Sequence, residues 1–351
     1  MRVLGLVHQY VPVRSAGAEA HVHAMLRALA GRGHQVDVVL NRQGGDPYTF
    51  EGVSVWPVVD ERSDVNRWLG QADIIVAHLE NTTRATVLGE MNDIPVVIAH
   101  HNTFEPTRDA LGLAYSRTDL VVTNSQWMDE DLIDWAIAQD YQLPPRVVVR
   151  PVADPVMYTT TPGDRVTLVN LRRLDPGSRD GLTKGGEVFR AVAERLPKVQ
   201  FLGVTGVYGI QQELDDLPNV EVLPHVPHDR IVGDVYARTK LLLVPSSYES
   251  WGRVAAEAIC SGIPVIASPT PGLSECLGSA GVYIDPGDID GWVGAIQTLL
   301  KPKFWRLASA EAKMRAAELA ELGRDDLERF CRAVEATAAA RGPVYNVEAM
   351  A

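Results

Sequence analysis

Short apolar runs rich in β-branched residues recur along the first part of the chain, at residues 3–7, 36–40, 74–77, 96–98, 120–122 and 147–149. They are continuous rather than alternating, the pattern of strands buried on both faces of a parallel sheet covered by helices. Between the first two runs, Val22, Met25, Leu26, Leu29 and Ala30 fall at helical spacing, and Gly31 with Gly33 supplies a stop. The repeating unit is therefore predicted to be strand, helix, strand. A second series follows Pro151, Pro155 and Pro162, with runs at 166–169, 201–204, 220–223, 241–244, 264–267 and 281–284. Prolines fix φ and lack a backbone donor, so 151–162 reads as an interdomain linker. The pattern predicts two doubly wound α/β domains, at 1–155 and 156–323, with ligands at the carboxyl ends of the strands and the cleft between the domains as the expected site. The Ala-, Glu-, Leu- and Arg-rich segment 304–341 reads as helix with a break near Gly323; its last part, 324–341, is expected to pack back on the first domain, and 344–351 to fray.

Bulk properties narrow the chemistry. A chain of 351 residues that is 46% hydrophobic can fill two cores of ordinary size. Its formal charge of −12 disfavours a surface that tracks phosphate backbones. The three cysteines, Cys260, Cys276 and Cys331, show no metal-ligand spacing and are odd in number, which suits a reducing compartment. The apolar run at 3–7 is shorter than a signal-peptide core, and no stretch approaches the roughly 18 to 20 apolar residues of a membrane span. The expectation is a soluble cytoplasmic protein, at most peripherally attached to a membrane.

The most informative segment is Glu249-Ser250-Trp251-Gly252-Arg253-Val254-Ala255-Ala256-Glu257, continuing to Gly262. It follows the run at 241–244; Pro245 and Ser246 end that strand, Ser250 is suited to cap a helix, and Gly262 to close it. Glu249 is then placed at the helix entrance and Glu257 about two turns inside. Two carboxylates at different depths suit two sets of hydroxyls, while the backbone N–H groups near Trp251 and Gly252 suit phosphate oxygens. A second group, Arg172, Arg173 and Lys184, follows the first strand of the second domain, where cations suit a diphosphate. Ser15-Ala16-Gly17-Ala18-Glu19 joins the first strand to its helix, and His100-His101-Asn102 follows the run at 96–98. Both are ligand-facing addresses in a doubly wound sheet.

The 249–257 segment resembles the Glu-x7-Glu motif of glycosyltransferase family 4, the retaining enzymes of the GT-B fold, and almost the whole chain fits that pattern. The resemblance implies two Rossmann-like domains and a nucleotide-sugar donor as co-substrate, with no cofactor. It implies that Glu249 holds a hydroxyl of the transferred sugar and Glu257 the nucleotide ribose, with Ser250, Trp251, Gly252 and Arg253 in the same donor-binding stretch. Arg173, or Arg172 in its place, and Lys184 would neutralise the leaving diphosphate. His101, or His100, would point at the donor sugar. Gly17 would let backbone approach the diphosphate or acceptor, while Gly206, Val226 and Gly272 would flank the phosphate, touch the base through backbone and close over the sugar. The chain departs from the family pattern at Ala16, where the family has glycine, and in the longer insertion at 175–183. No ligand cluster or Asp-x-Asp in the expected cleft suggests a metal.

Other classes fit less well. A dinucleotide-dependent dehydrogenase would carry G-x-G-x-x-G where residues 8–14 read His-Gln-Tyr-Val-Pro-Val-Arg, and an acidic residue after the second strand, where Leu40-Asn41 stands. A GT-B-fold epimerase or phosphorylase shares the architecture but not the combined motifs, and a non-catalytic sugar-nucleotide-binding protein would share both. The acceptor is left open among glycan, lipid, small molecule, protein and modified nucleic acid.

Overall fold

The computed structural model describes residues 1–13, 17–40, 44–58, 61–151, 153–177 and 181–341. Ser15, Ala16 and the tail at 344–351 lie outside the described residues. The chain divides into two compact units, Met1–Pro151 with the chain from Gly323 onward, and Val152–Leu322.

In the first unit the strands are β1 (Arg2–Val7), β2 (Gln35–Leu40), β3 (Tyr48–Phe50), β4 (Val53–Pro57), β5 (Ile74–His78), β6 (Val96–His100), β7 (Leu120–Thr123) and β8 (Arg146–Val148). They form one sheet in the order β3-β4-β2-β1-β5-β6-β7-β8, parallel except for the β3–β4 pair. The connecting helices are α1 (Gly17–Gly31), α2 (Glu61–Leu69), α3 (Thr82–Asn92), α4 (Glu105–Ala114) and α5 (Gln126–Ala138). Both sheet faces are covered, and β1 shows why its run is continuous: Val3 and Val7 enter one core and Leu4 and Leu6 the other.

The second unit holds α6 (Pro155–Tyr158), β9 (Arg165–Val169), α7 (Gly186–Arg195), β10 (Phe201–Val204), β11 (Val220–Leu223), α8 (Ile231–Asp234), β12 (Thr239–Val244), α9 (Arg253–Cys260), β13 (Val265–Ala267), α10 (Pro271–Leu277), β14 (Gly281–Tyr283) and α11 (Ile289–Leu299). Its parallel sheet runs β11-β10-β9-β12-β13-β14. Leu242 and Val244 of β12 enter one core, Leu241 and Leu243 the other. The order of the parallel strands switches between β1 and β5 in the first sheet and between β9 and β12 in the second, and these switch points are where loops at the carboxyl ends diverge to leave room for a ligand.

Two sequence expectations need correction. The break at Gly323 does not occur, because α12 runs continuously from Pro302 to Arg341. An interior glycine costs a helix only about 1 kcal/mol relative to alanine, and packing holds both sides: Leu319 is buried in a core of the second unit, and Phe330, Cys331 and Val334 in a core of the first. Arg150 adds a buried anchor, its guanidinium Nη1 donating to Asp326 Oδ2 at 2.9 Å. The second correction concerns α9, which begins at Arg253, so that the left-handed Gly252 (φ 100°) and not Ser250 stands at the N-cap position. Glu257 is therefore one turn into the helix rather than two.

Candidate active site

The loops that leave β9 and β12 meet at the switch point of the second sheet. Leu171 to Lys184 follows β9, and Pro245 to Gly252 follows β12. Backbone bonds stitch them together: Ser247 N donates to the Thr183 carbonyl at 3.1 Å, and Thr183 N donates to Ser247 Oγ at 3.0 Å. Lys184 N also donates to the Arg172 carbonyl at 3.0 Å. The result is an ion pair between Lys184 Nζ and Glu249 Oε1 at 2.6 Å, with Ser246 Oγ donating to the same oxygen at 2.8 Å. Both partners lie on Oε1, so among the described residues Oε2 is left for another donor.

Eight residues on, Glu257 is buried at 3% exposure. Arg253 Nη2 donates to its Oε1 at 2.6 Å and the Tyr236 hydroxyl to its Oε2 at 2.6 Å. Burial opposes the charge of Arg253, yet the Glu257 carboxylate overrides that effect and holds the guanidinium above the ordinary arginine value. Arg253 Nη2 also lies 3.0 Å from His228 Nε2, against which the Tyr158 hydroxyl is hydrogen-bonded. The Trp251 indole is buried in the core, so this residue offers the site its backbone. The positive φ of Gly252 turns the chain so that the first amides of α9 start the helix without intrahelical acceptors.

The second unit also holds the other candidates from its part of the sequence. Arg172 forms a backbone bridge with Gln211. Arg173 Nη1 donates to the Leu174 carbonyl at 3.2 Å, and its guanidinium is not among the partners of Glu249. Gly206 follows β10, its N–H donating to Gln211 Oε1 at 2.8 Å. Val226 is half-buried against the core that contains Tyr236. Gly272 opens α10, where an added Cβ would lie 2.2 Å from the Glu249 carbonyl oxygen. Any side chain at this position would clash with the motif loop.

In the first unit, Gly17 begins α1, and four histidines gather around the carboxyl ends of β5 and β6. His21 Nδ1 and His101 Nε2 share a hydrogen bond of 2.8 Å, and the His78 and His101 ring centroids are 4.9 Å apart. His100, the last residue of β6, is also buried, with neither ring nitrogen hydrogen-bonded. Burial lowers His78 to about 4; burial, helped by the Arg108 charge and opposed by Asp131, lowers His100 to about 4; and burial with three neighbouring imidazoles holds His101 well below its ordinary range. His21 and His78 were not singled out in the sequence; they lie 57 residues apart (78 minus 21) and only the parallel sheet brings them together.

Unfolded histidines bind protons below about 6.5, whereas the folded ones stay neutral until about 4. Stability is therefore expected to be full above pH 6.5 and to fall on acidification towards pH 4, by about 1.4 kcal/mol per pH unit for each such histidine. Urea unfolding at pH 7.5, 6.5 and 5.5 tests this, with a shallower fall expected in His78→Gln; a flat profile would contradict the buried cluster.

The comparisons with known proteins bear on this geometry. The family model described as Glycosyl transferases group 1 matches residues 165–302, and that described as Glycosyltransferase Family 4 matches residues 15–149. The chain belongs to glycosyltransferase family 4. Among its curated relatives, the D-inositol 3-phosphate glycosyltransferase of Mycobacterium sp. (strain KMS) is 30% identical over 239 residues, covering 61% of this chain and 53% of that protein. The glycogen synthase of Mycobacterium tuberculosis (strain H37Rv) is 26% identical over 391 residues, covering 90% and 89%. The chain thus spans about half the length of the inositol-phosphate relatives it matches. Among solved structures, Anabaena HepE in complex with UDP-glucose superposes with a TM-score of 0.70 at 19% identity, covering 97% of this chain and 100% of that one. The sucrose-phosphate synthase of Thermosynechococcus elongatus gives 0.65 at 17% identity, covering 96% of each. The family 4 chain has the GT-B fold. No helix among the described residues is long and apolar enough to cross a membrane.

Proposed function

We propose that this family 4 member transfers a sugar from a nucleotide-diphosphate sugar to an acceptor hydroxyl, with retention at the anomeric carbon and without a metal. The observation that carries the reading is the Lys184–Glu249 pair at the switch point of the second sheet, with Glu257 eight residues further on. Glu249 holds a hydroxyl of the transferred sugar, and Glu257 the ribose. Lys184 and Arg173 offset the charge that grows on the departing diphosphate, together with the first amides of α9. In the chemical step the bond from the anomeric carbon to the diphosphate oxygen breaks on the face where the bond to the acceptor oxygen forms. The acceptor proton passes to the leaving diphosphate oxygen. No carboxylate nucleophile takes part, so electrostatic stabilisation is the main contribution of the protein. UDP-glucose is the first donor to try, because a protein of this fold holds it. The three cysteines are buried free thiols, which fits a reducing cytoplasm.

The test is nucleotide release from UDP-, GDP-, ADP- and TDP-sugars without acceptor, with and without EDTA. Slow release from one donor, unchanged by EDTA, is the expected result. Silence across the panel, with no thermal stabilisation by any nucleotide, would replace the transferase reading with a non-catalytic one.

A further inference from the structure

Glu257 presents a physical problem that the family motif does not solve. Its side chain is 4% exposed, and a carboxylate so deeply placed is costly unless a counter-charge and hydrogen bonds accompany it. Both are supplied from within the second unit. Arg253, one turn earlier on α9, gives the charge through Oε1, and Tyr236, from the turn before β12, gives a hydroxyl through Oε2. The i,i+4 spacing places the cation directly below the carboxylate on one helix face. Arg253 is itself fixed from the other side. Its Nη2 lies 3.0 Å from His228 Nε2, the ring nitrogen that the Tyr158 hydroxyl also meets. Tyr158 packs edge-on against the same imidazole, with ring centroids 5.7 Å apart. The guanidinium is thus clamped between Glu257 and His228, and its side chain is only 20% exposed.

We propose that Arg253 is a positioning residue for nucleotide recognition: it fixes Glu257 in orientation and charge, and acts on the donor through that carboxylate rather than by touching the diphosphate. The inference rests on the reading that Glu257 holds the ribose. A carboxylate has about four acceptor directions; Arg253 and Tyr236 use one on each oxygen, and the Tyr158 hydroxyl and the Cys260 thiol are the other titratable groups that face it. The remaining directions serve two vicinal hydroxyls, which suits the cis-diol of a ribose. Removal of the guanidinium leaves the carboxylate buried without its cation, and the variant answers by taking up a proton as pH falls. A protonated carboxyl is a poorer acceptor for a diol, so donor binding in the variant becomes pH-dependent.

The experiment is calorimetric titration of UDP-glucose, whose diphosphate diester does not titrate in this range, at pH 6, 7 and 8. It compares wild type, Arg253→Met, Arg253→Lys and Glu257→Ala. Arg253→Met is expected to bind about tenfold more weakly than wild type at pH 8, and about a hundredfold more weakly at pH 6, if the lost interaction is of the charged hydrogen-bond class. Arg253→Lys retains the charge and is expected to restore a flat profile. A second readout needs no ligand: Arg253→Met lowers Tm by several degrees, and adding Glu257→Gln to it recovers most of the loss by removing the orphaned charge. A deficit in Arg253→Met that is the same at every pH, or unchanged binding, would overturn the proposal and leave Arg253 as a packing residue or direct donor contact. The titrant is the donor that the release panel selects, UDP-glucose being the first tried, and wild-type binding of it by Glu257→Ala would instead overturn the ribose reading beneath the proposal.

Discussion

Lys184→Ala is expected to lower turnover by about 10²- to 10³-fold, the range for removing one preorganised donor to a developing negative charge, with the fold unchanged. The side chain is 32% exposed, so truncation opens no buried cavity, and its polar partner Glu249 keeps the Ser246 hydroxyl. Two explanations for the loss are separable. If Lys184 only orients Glu249, then Lys184→Ala made in a Glu249→Gln background adds nothing further, because the partner charge is already gone. If Lys184 meets the leaving diphosphate, as proposed, its removal in that background costs most of the same factor again, and kcat falls more than KM rises. The double-mutant comparison is read from donor turnover with circular dichroism as the check on folding. A Lys184→Ala protein of full activity would remove this residue from the mechanism.

That pair was legible in the sequence as two separate motifs, one after each strand of a switch point, and the doubly wound topology accounts for their meeting. The buried strands were legible for the same reason: a strand covered on both faces is apolar along its buried run, as at 3–7, 201–204 and 241–244. The β3–β4 hairpin escaped because it lies at the sheet edge, where Ser54 and Trp56 are half-exposed between buried Val53 and Val55, and because three residues make a weak signal. The entrance of α9 was misplaced at Ser250 because serine suits a cap, whereas the left-handed Gly252 that starts the helix shows itself only in the backbone. Arg253 was read as one more residue of a donor-binding stretch. Its i,i+4 relation to Glu257 was present in the sequence, but whether such a pair is solvated or buried depends on what covers the helix, here Tyr236 and His228. His100 and His101 were legible at the end of β6, but the cluster they join was not, since His21, His78 and His101 belong to three different strand-loop-helix connections.

Gly272→Ala is expected to reduce activity by about a hundredfold through the Glu249 loop, although Gly272 bears no functional group. A Cβ at this position would sit 2.2 Å from the Glu249 carbonyl oxygen and 2.6 Å from the Ser250 carbonyl carbon, both backbone atoms that no rotamer change can withdraw. Nor can α10 easily retreat. Thr270 caps it by accepting from Leu273 N at 3.4 Å, Pro271 fixes its first turn, and Leu273 is fully buried beneath Gly252, where a Cβ would meet Leu273 Cδ2 at 2.5 Å. The strain must therefore move the backbone of Glu249 and Ser250 by about an ångström, a displacement that can cost about 10²-fold when it misplaces a reacting group. The Lys184–Glu249 pair would lengthen with it, and Tm would fall by several degrees as overpacking is relieved. Gly294→Ala provides the control: that glycine lies within α11 with nothing inside 4 Å of an added Cβ, so alanine there is expected to leave activity intact and raise stability by about 0.5–1 kcal/mol. Full activity in Gly272→Ala would mean that the position of the Glu249 backbone is not what the reaction depends on.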